Sequence, residues 1–211
     1  MTVNAEHADR RAALKARHRR AILDAAKELI TEGSSARFSV DQLAERADVS
    51  RRTIFNHFAS IDDVVTTVCS EVLGVVIERF RQVVTAGQAG PGTRAEAFAT
   101  LTEALRATDV PGLIAFLWRA LGGFDKEDPR PRQIFQATFS RTTTELAREL
   151  AVRNEGLDPL EAELLVSALM HGTEVIAEHW LSITGAATDE SALALWRDLL
   201  DRLILSVKTG Y

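Results

Sequence analysis

Arg51, Arg52, Thr53, Asn56 and His57 crowd into one short stretch, RRTIFNH, and each carries a group suited to nucleic acid. A guanidinium can bond the edge of a guanine through two hydrogen bonds, and an amide can do the same for adenine. Hydroxyl and imidazole groups are suited to phosphates. The apolar residues Val49, Ile54 and Phe58 are spaced for the opposite face of a helix that starts behind Ser50, so the five polar side chains point outward together. Charge on a helical face is usually only solvated. For this helix taken alone, both readings stand.

The element before it narrows the choice. Val40, Leu43, Ala44 and Ala47 recur at helical spacing behind Ser39, which has the residue type wanted at an N-cap; Ser50 plays the same part for the second helix. Two short helices joined by a turn of about three or four residues form a helix-turn-helix, whose second helix has a known use in the major groove. The capped pair makes the solvated-face reading the weaker one.

Charge distribution agrees. The net charge is −5, yet residues 1–60 hold eleven Lys and Arg against eight Asp and Glu, while residues 61–211 hold fourteen against twenty-two. A head of +3 on a body of −8 would approach DNA head first. Arg10, Arg11, Lys15, Arg17, Arg19 and Arg20 follow one another without an intervening acid. Of these, Arg17, Arg19 and Arg20 are the arm residues best placed to reach phosphates or a minor groove; an unstructured, solvated tail is the alternative. Residues 1–9 are expected to stay disordered until something orders them. The first helix is expected from Arg10, with Ile22, Ala25, Ala26, Leu29 and Ile30 as its apolar stripe and Gly33 at its end.

With 211 residues, 46% hydrophobic and 26% charged, the composition is that of an ordinary globular protein of one small and one larger domain. No apolar run reaches the roughly 18 to 20 residues of a membrane span, and the polar N-terminus lacks a secretory segment; a cytoplasmic protein with no membrane partner is expected. Cys69 stands alone, which excludes an intrachain disulfide and a cysteine metal cluster and leaves a packed core residue.

The runs RRAILDAAKELITEG and FSVDQLAERADVSRRTIFNHFASIDDVV resemble the N-terminal DNA-binding domain of the tetracycline-repressor (TetR) family over about residues 17–65. Paired alanines, the glycine after the first helix, the Ser cap, a Leu-Ala pair, Val-Ser in the turn and an aromatic–x–His–Phe close all fall at the family's spacing. The resemblance implies base contacts from Arg51 and Arg52, with Asn56 as a further candidate. It implies phosphate contacts from Thr53, His57 and the helix start at Ser39; Ser50 joins this set as the cap of the reading helix. Three positions depart from the pattern. Asp48 replaces a turn glycine, which aspartate tolerates better than most residues. Phe55 replaces a tyrosine and removes any phosphate bond through its hydroxyl. Ile61 replaces a lysine at the start of the fourth helix.

Beyond Phe58 a helix capped by Ser60 is expected to run through Val64, Val68, Val72, Val75 and Phe80 toward Gly87, with Asp62 and Asp63 favourably placed in its first turn. The breaker cluster QAGPG follows. Helices are expected at about 93–108, 112–122, 130–153, 159–183 and 189–208, giving an all-α chain of about nine helices. The functional division is a helix-turn-helix domain with a basic arm over 1–62 and a ligand-binding and dimerisation domain over 63–211.

Phe98, Phe116, Trp118, Phe135 and Phe139 could line an apolar effector pocket, although each could equally be plain core. Arg119, set in LIAFLWRALGG, could snorkel, pair with an acid or meet an anionic ligand. In the last two helices Trp196, Leu200, Leu203 and Val207 recur at the spacing of a packing seam, and Ala168 and Gly172, one turn apart with Ile176 beyond, permit close approach of another helix. The resemblance implies that this pair forms a four-helix bundle with its twin across a two-fold axis; packing within one chain is the alternative.

Catalytic chemistry finds little support. His171, Glu174 and Glu178 share a helical face, but neither HExxH nor a carboxylate-bridged ExxH pairing is present, so no metal is expected. No GxSxG, no phosphate-cradling glycine loop and no nucleophile beside a base appear, and neither an enzyme nor a cofactor is expected. The expectation is a homodimeric regulator, released from a pseudo-palindromic double-stranded operator by a small apolar or amphipathic effector. A constitutive DNA-binding regulator without a ligand is the runner-up. A helical enzyme or carrier with a vestigial head is the third reading.

Overall fold

The computed structural model describes residues 2–33, 38–86, 92–123, 143–154 and 156–209. Among them are nine helices and no β-strand: α1 (Thr2–Glu32), α2 (Val40–Arg46), α3 (Arg51–His57), α4 (Ile61–Ala86), α5 (Arg94–Ala107), α6 (Val110–Leu121), α7 (143–153), α8 (Pro159–Thr184) and α9 (Glu190–Thr209). The chain divides into two compact units. Described residues within Met1–Glu71 and Phe116–Pro131 form one, and those within Val72–Ala115 and Arg132–Tyr211 the other.

In the first unit α1 packs on both α2 and α3. It begins eight residues before the Arg10 expected from the sequence, and residues 2–9, expected to be disordered, are helical. The stretch, TVNAEHAD, holds no glycine or proline, so nothing stops a helix nucleated by the buried stripe downstream from continuing through it. That stripe is Ile22, Leu23, Ala25, Ala26 and Ile30, with Leu29 only half-buried. Leu43 from α2 and Ile54 from α3 are completely buried and Phe58 nearly so. Burial of each such side chain is worth about 1.5 to 3 kcal/mol. Arg46 links α2 to α1, its guanidinium bonding Glu28 at 3.2 Å and Glu32 at 2.8 Å. The hydrogen bond from Arg46 holds the Glu32 carboxyl below its ordinary pKa.

On α4 the buried positions are Val64, Val65, Val68, Cys69, Leu73, Phe80 and Val84. Val75, expected in this stripe, is 69% exposed. The burial runs through 65, 69, 73, 80 and 84, and Val75 falls off that line.

In the second unit α5 packs against α8 and α9, and α8 against α9. Asp158 caps α8, accepting from the Leu160 and Glu161 amides, with Pro159 in the first turn; Gly185 ends it at φ +58°, where a side chain would be strained. Trp180 is fully buried, donates from Nε1 to the Ala192 carbonyl at 2.7 Å and meets the Trp196 ring edge-on at 6.0 Å. Arg81 on α4 joins Glu78 at 2.9 Å and Glu149 of α7 at 2.7 Å.

Candidate nucleic-acid interface

Local caps set the recognition geometry. Ser39 and Gln42 form a reciprocal capping box: the Ser39 hydroxyl accepts from the Gln42 amide at 3.2 Å, and the Gln42 side chain accepts from the Ser39 amide at 2.8 Å. Ser50 caps α3, accepting from the Thr53 amide at 3.1 Å and bonding the Thr53 hydroxyl at 2.8 Å. Between the helices Asp48 stands at φ +50°, the left-handed conformation anticipated for it, and the Val49 amide returns to the Ala44 carbonyl at 3.0 Å. Both serines expected at the interface are therefore committed as caps. Each fixes a helix start, where free backbone amides suit a phosphate.

With Ile54 and Phe58 buried, Arg51, Arg52, Phe55 and Asn56 share the exposed face of α3, and Thr53 and His57 are half-buried at its flank. Arg51 forms an ion pair through Nε with Asp41 of α2, a partner that spacing along the sequence could not supply. Its terminal nitrogens remain the ones suited to a base edge.

Beside α3 lies a cleft of about 310 Å³ lined by Lys15, Arg19, Asn56, His57, Phe58, Asp63 and Thr67. The Arg19 guanidinium sits 4.6 Å from the Phe58 ring centre, a cation–π contact that orients the arm side chain. The His18 and His57 rings meet edge-on with centres 6.4 Å apart. Burial, followed by the charges of Lys15, His18 and Arg19, pushes the His57 imidazole below its ordinary pKa. The Asp63 carboxylate accepts from the Ala59 amide at 3.0 Å, closing the start of α4 together with Ser60, whose hydroxyl accepts from the Asp63 amide at 3.1 Å.

The arm residues separate here. Arg19 lines the cleft and Arg17 is exposed, whereas Arg20 lies 3.9 Å from Asp24 and 3.6 Å from Glu71. Lys15, which the sequence reading leaves out of the site, lines the cleft in its place. The signal is present in the sequence: Lys15 and Arg19 are one turn apart, on the face that meets α3.

Residues 22–68 match the model of bacterial regulatory proteins, tetR family. This segment and the helices after it share the fold of solved regulators. A putative TetR-family transcriptional regulator of Mesorhizobium loti MAFF303099 superimposes with a TM-score of 0.64 at 20% identity, over 92% of this chain and 96% of that one. The regulator FadR of Bacillus subtilis, in complex with stearoyl-CoA, gives 0.51 at 21% identity, over 87% and 96%. No curated protein matches. Residues 22–68 thus match the tetR-family model, and the chain shares the fold of these solved proteins, with a helix-turn-helix head.

The effector-pocket candidates are distributed. Phe98 is half-buried against the core of the second unit; in the first, Phe116 is buried and Trp118 and Arg119 are half-buried. The Arg119 Nε is buried with no hydrogen-bond partner among the described residues. Phe135 and Phe139 lie outside the described residues. A second cleft, of about 410 Å³ between α5, α6 and α9, holds Arg106 and Arg197, which are already paired with Asp201 and Glu190.

The seam candidates differ in how far they are buried within the single chain. Trp196 and Leu200 are buried within the chain itself at 5% and 4% exposure. The space at Gly172 is filled by Leu203 of the same chain, so close that a Cβ there would clash with Leu203 Cδ1. Ile176, Leu203 and Val207 are half-buried against the same core, and Ala168 is exposed. The 3,4 spacing on α9 therefore records its packing on α8. The sequence reading misses a second apolar stripe on α8, Leu160, Leu164, Ala168 and Val175, which faces outward; its leucines and valine are 62%, 62% and 64% exposed. A helix apolar on two faces is the signal. His171 stands on the outward face with Nδ1 2.9 Å from the Ser167 carbonyl, and among the described residues no three potential ligands gather to hold a metal. No helix among them is long and apolar enough to cross a membrane.

Proposed function

We propose that this regulator is a homodimeric repressor that reads a pseudo-palindromic operator through α3 and leaves it when a small amphipathic molecule binds. The observation that carries the reading is the exposed row of Arg51, Arg52 and Asn56 on a capped helix, flanked by a cleft in which Lys15, Arg19 and His57 converge. Bases take the row and phosphates the cleft. The DNA-contacting groups lie within residues 1–62, and effector binding and dimerisation belong to 63–211.

Two protomers are needed because a palindrome presents its half-sites about 34 to 36 Å apart, a spacing that one short helix cannot cover. The unpaired stripe of α8 offers the seam, with Leu164, Ala168 and Val175 at its centre and Leu203 and Val207 behind. An amphipathic effector is supported by the stearoyl-CoA bound to the Bacillus subtilis relative and by the buried Nε of Arg119, which has no hydrogen-bond partner among the described residues and is a donor suited to an acidic or carbonyl head group. Such a ligand releases the operator only if it binds the DNA-incompetent state more tightly than the competent one.

The test is recovery of bound duplexes from a random pool by the full chain, followed by binding with Arg51→Ala and Arg52→Ala. Each variant should lose about 1 to 3 kcal/mol on the recovered site and relax the preference at one base pair per half-site. Recovery of no common sequence, or of an asymmetric one, would defeat the proposal.

A further inference from the structure

We infer that Phe55 reads the 5-methyl group of a thymine, making it a base-specificity residue of α3; this rests on the reading of α3 as the DNA-reading helix. Among the described residues, nine large hydrophobic side chains are exposed, and Phe55, at 52%, is the only aromatic one. It lies one turn beyond Arg51 and Arg52, on the same outward face, beside Asn56. Complete burial of the adjacent Ile54 fixes the helix rotation, so drawing the Phe55 ring inward would expel Ile54.

A phenylalanine ring has neither donor nor acceptor to offer a phosphate. In the major groove, each base-pair edge is polar except where thymine presents its methyl group, and that methyl is the feature an apolar ring can distinguish. Cytosine, the other pyrimidine, lacks it. Arg51, tethered to Asp41 through Nε, keeps its terminal nitrogens for a neighbouring guanine. The face thus carries a guanine reader and a thymine reader one helical turn apart.

Exchanging thymine for deoxyuridine removes the methyl and leaves pairing and charge intact. The probe is the duplex recovered by wild-type protein, with each thymine exchanged in turn. One thymine per half-site should weaken wild-type binding roughly fourfold when exchanged, the worth of about one buried methyl group. Phe55→Ala should bind the two forms of that site equally, and Phe55→Leu should retain part of the preference. Circular dichroism of both variants checks that the head remains helical. If no single exchange affects the wild type, or if Phe55→Ala loses the same factor on thymine and uracil duplexes, the inference is overturned while DNA reading by α3 stands. Failure of the wild type to select any duplex overturns both.

Discussion

Introducing arginine at Leu164 or Val175, compared with arginine at Leu200, separates the outward stripe of α8 from the core behind it. Leu164 and Val175 are 62% and 64% exposed in the single chain. Full burial of a Leu or Val side chain is worth about 1.5 to 3 kcal/mol, so covering the part still exposed contributes about 1 to 2 kcal/mol. A two-fold axis repeats every contact, and one substitution removes two of them, about 2 to 4 kcal/mol before any charge is stranded. The dimer dissociation constant should rise roughly 30- to 1,000-fold. The chain's own stability should change by about 0.5 kcal/mol or less, as at other open surface sites. Leu200, at 4% exposure, behaves in the opposite way: a guanidinium there must enter the α5–α8–α9 core, and the chain loses stability without yielding a well-folded monomer. Sedimentation velocity over a range of concentrations, with thermal melts by circular dichroism, reads both quantities. A Val175→Arg protein that remains dimeric at low concentration, or a Leu200→Arg protein that is monomeric with an unchanged melt, would show that the outward and inward faces of the α8–α9 pair have been assigned the wrong way round.

Two further outcomes are expected. Trp180→Phe removes the indole N–H that donates to the Ala192 carbonyl at 2.7 Å, a bond additional to that carbonyl's place in the α9 ladder, and leaves part of the indole volume empty. The cost should be about 2 to 4 kcal/mol, and an unchanged melting temperature would contradict the buried hydrogen bond. His57 has a pKa below its ordinary 6.5, so the folded head holds fewer protons on that ring than the unfolded chain does. The associated stability is intact above the ordinary value and is lost as pH falls through the lowered one. A phosphate in the cleft favours the protonated ring, so duplex affinity should rise as pH falls across that window. Fluorescence anisotropy should show this in the wild type and a flatter profile in His57→Gln; parallel profiles would place the phosphate elsewhere.

Signals spanning a few residues are legible in the sequence. Ser39, Ser50 and Asp48 depend on neighbours within about four positions, and all three take the conformations their types favour. Which face of an amphipathic helix meets which partner is not legible. Leu203 fills the notch at Gly172 from the same chain, yet a small residue at a seam looks alike whether the approaching helix is its own or a twin's. Asp41 is tied to Arg51 because the turn folds α2 against α3, a relation that periodicity along either helix does not contain. The early start of α1 shows the converse: polar composition suggests disorder where a run without glycine or proline carries on a helix begun downstream.

Trp180 and Trp196, edge to face between α8 and α9, account for two of the three indoles in the chain, and residues 1–71 have neither tryptophan nor tyrosine. Intrinsic emission therefore reports chiefly on the C-terminal hairpin and has no fluorophore in the N-terminal segment. Trp118 is the one indole in the compact unit that holds the helix-turn-helix, so a collapsed head changes only its share of an emission dominated by that hairpin, and a loss of operator binding is then easily mistaken for a recognition defect. Amide exchange or a dye placed within residues 1–71 is the probe that tells these two failures apart.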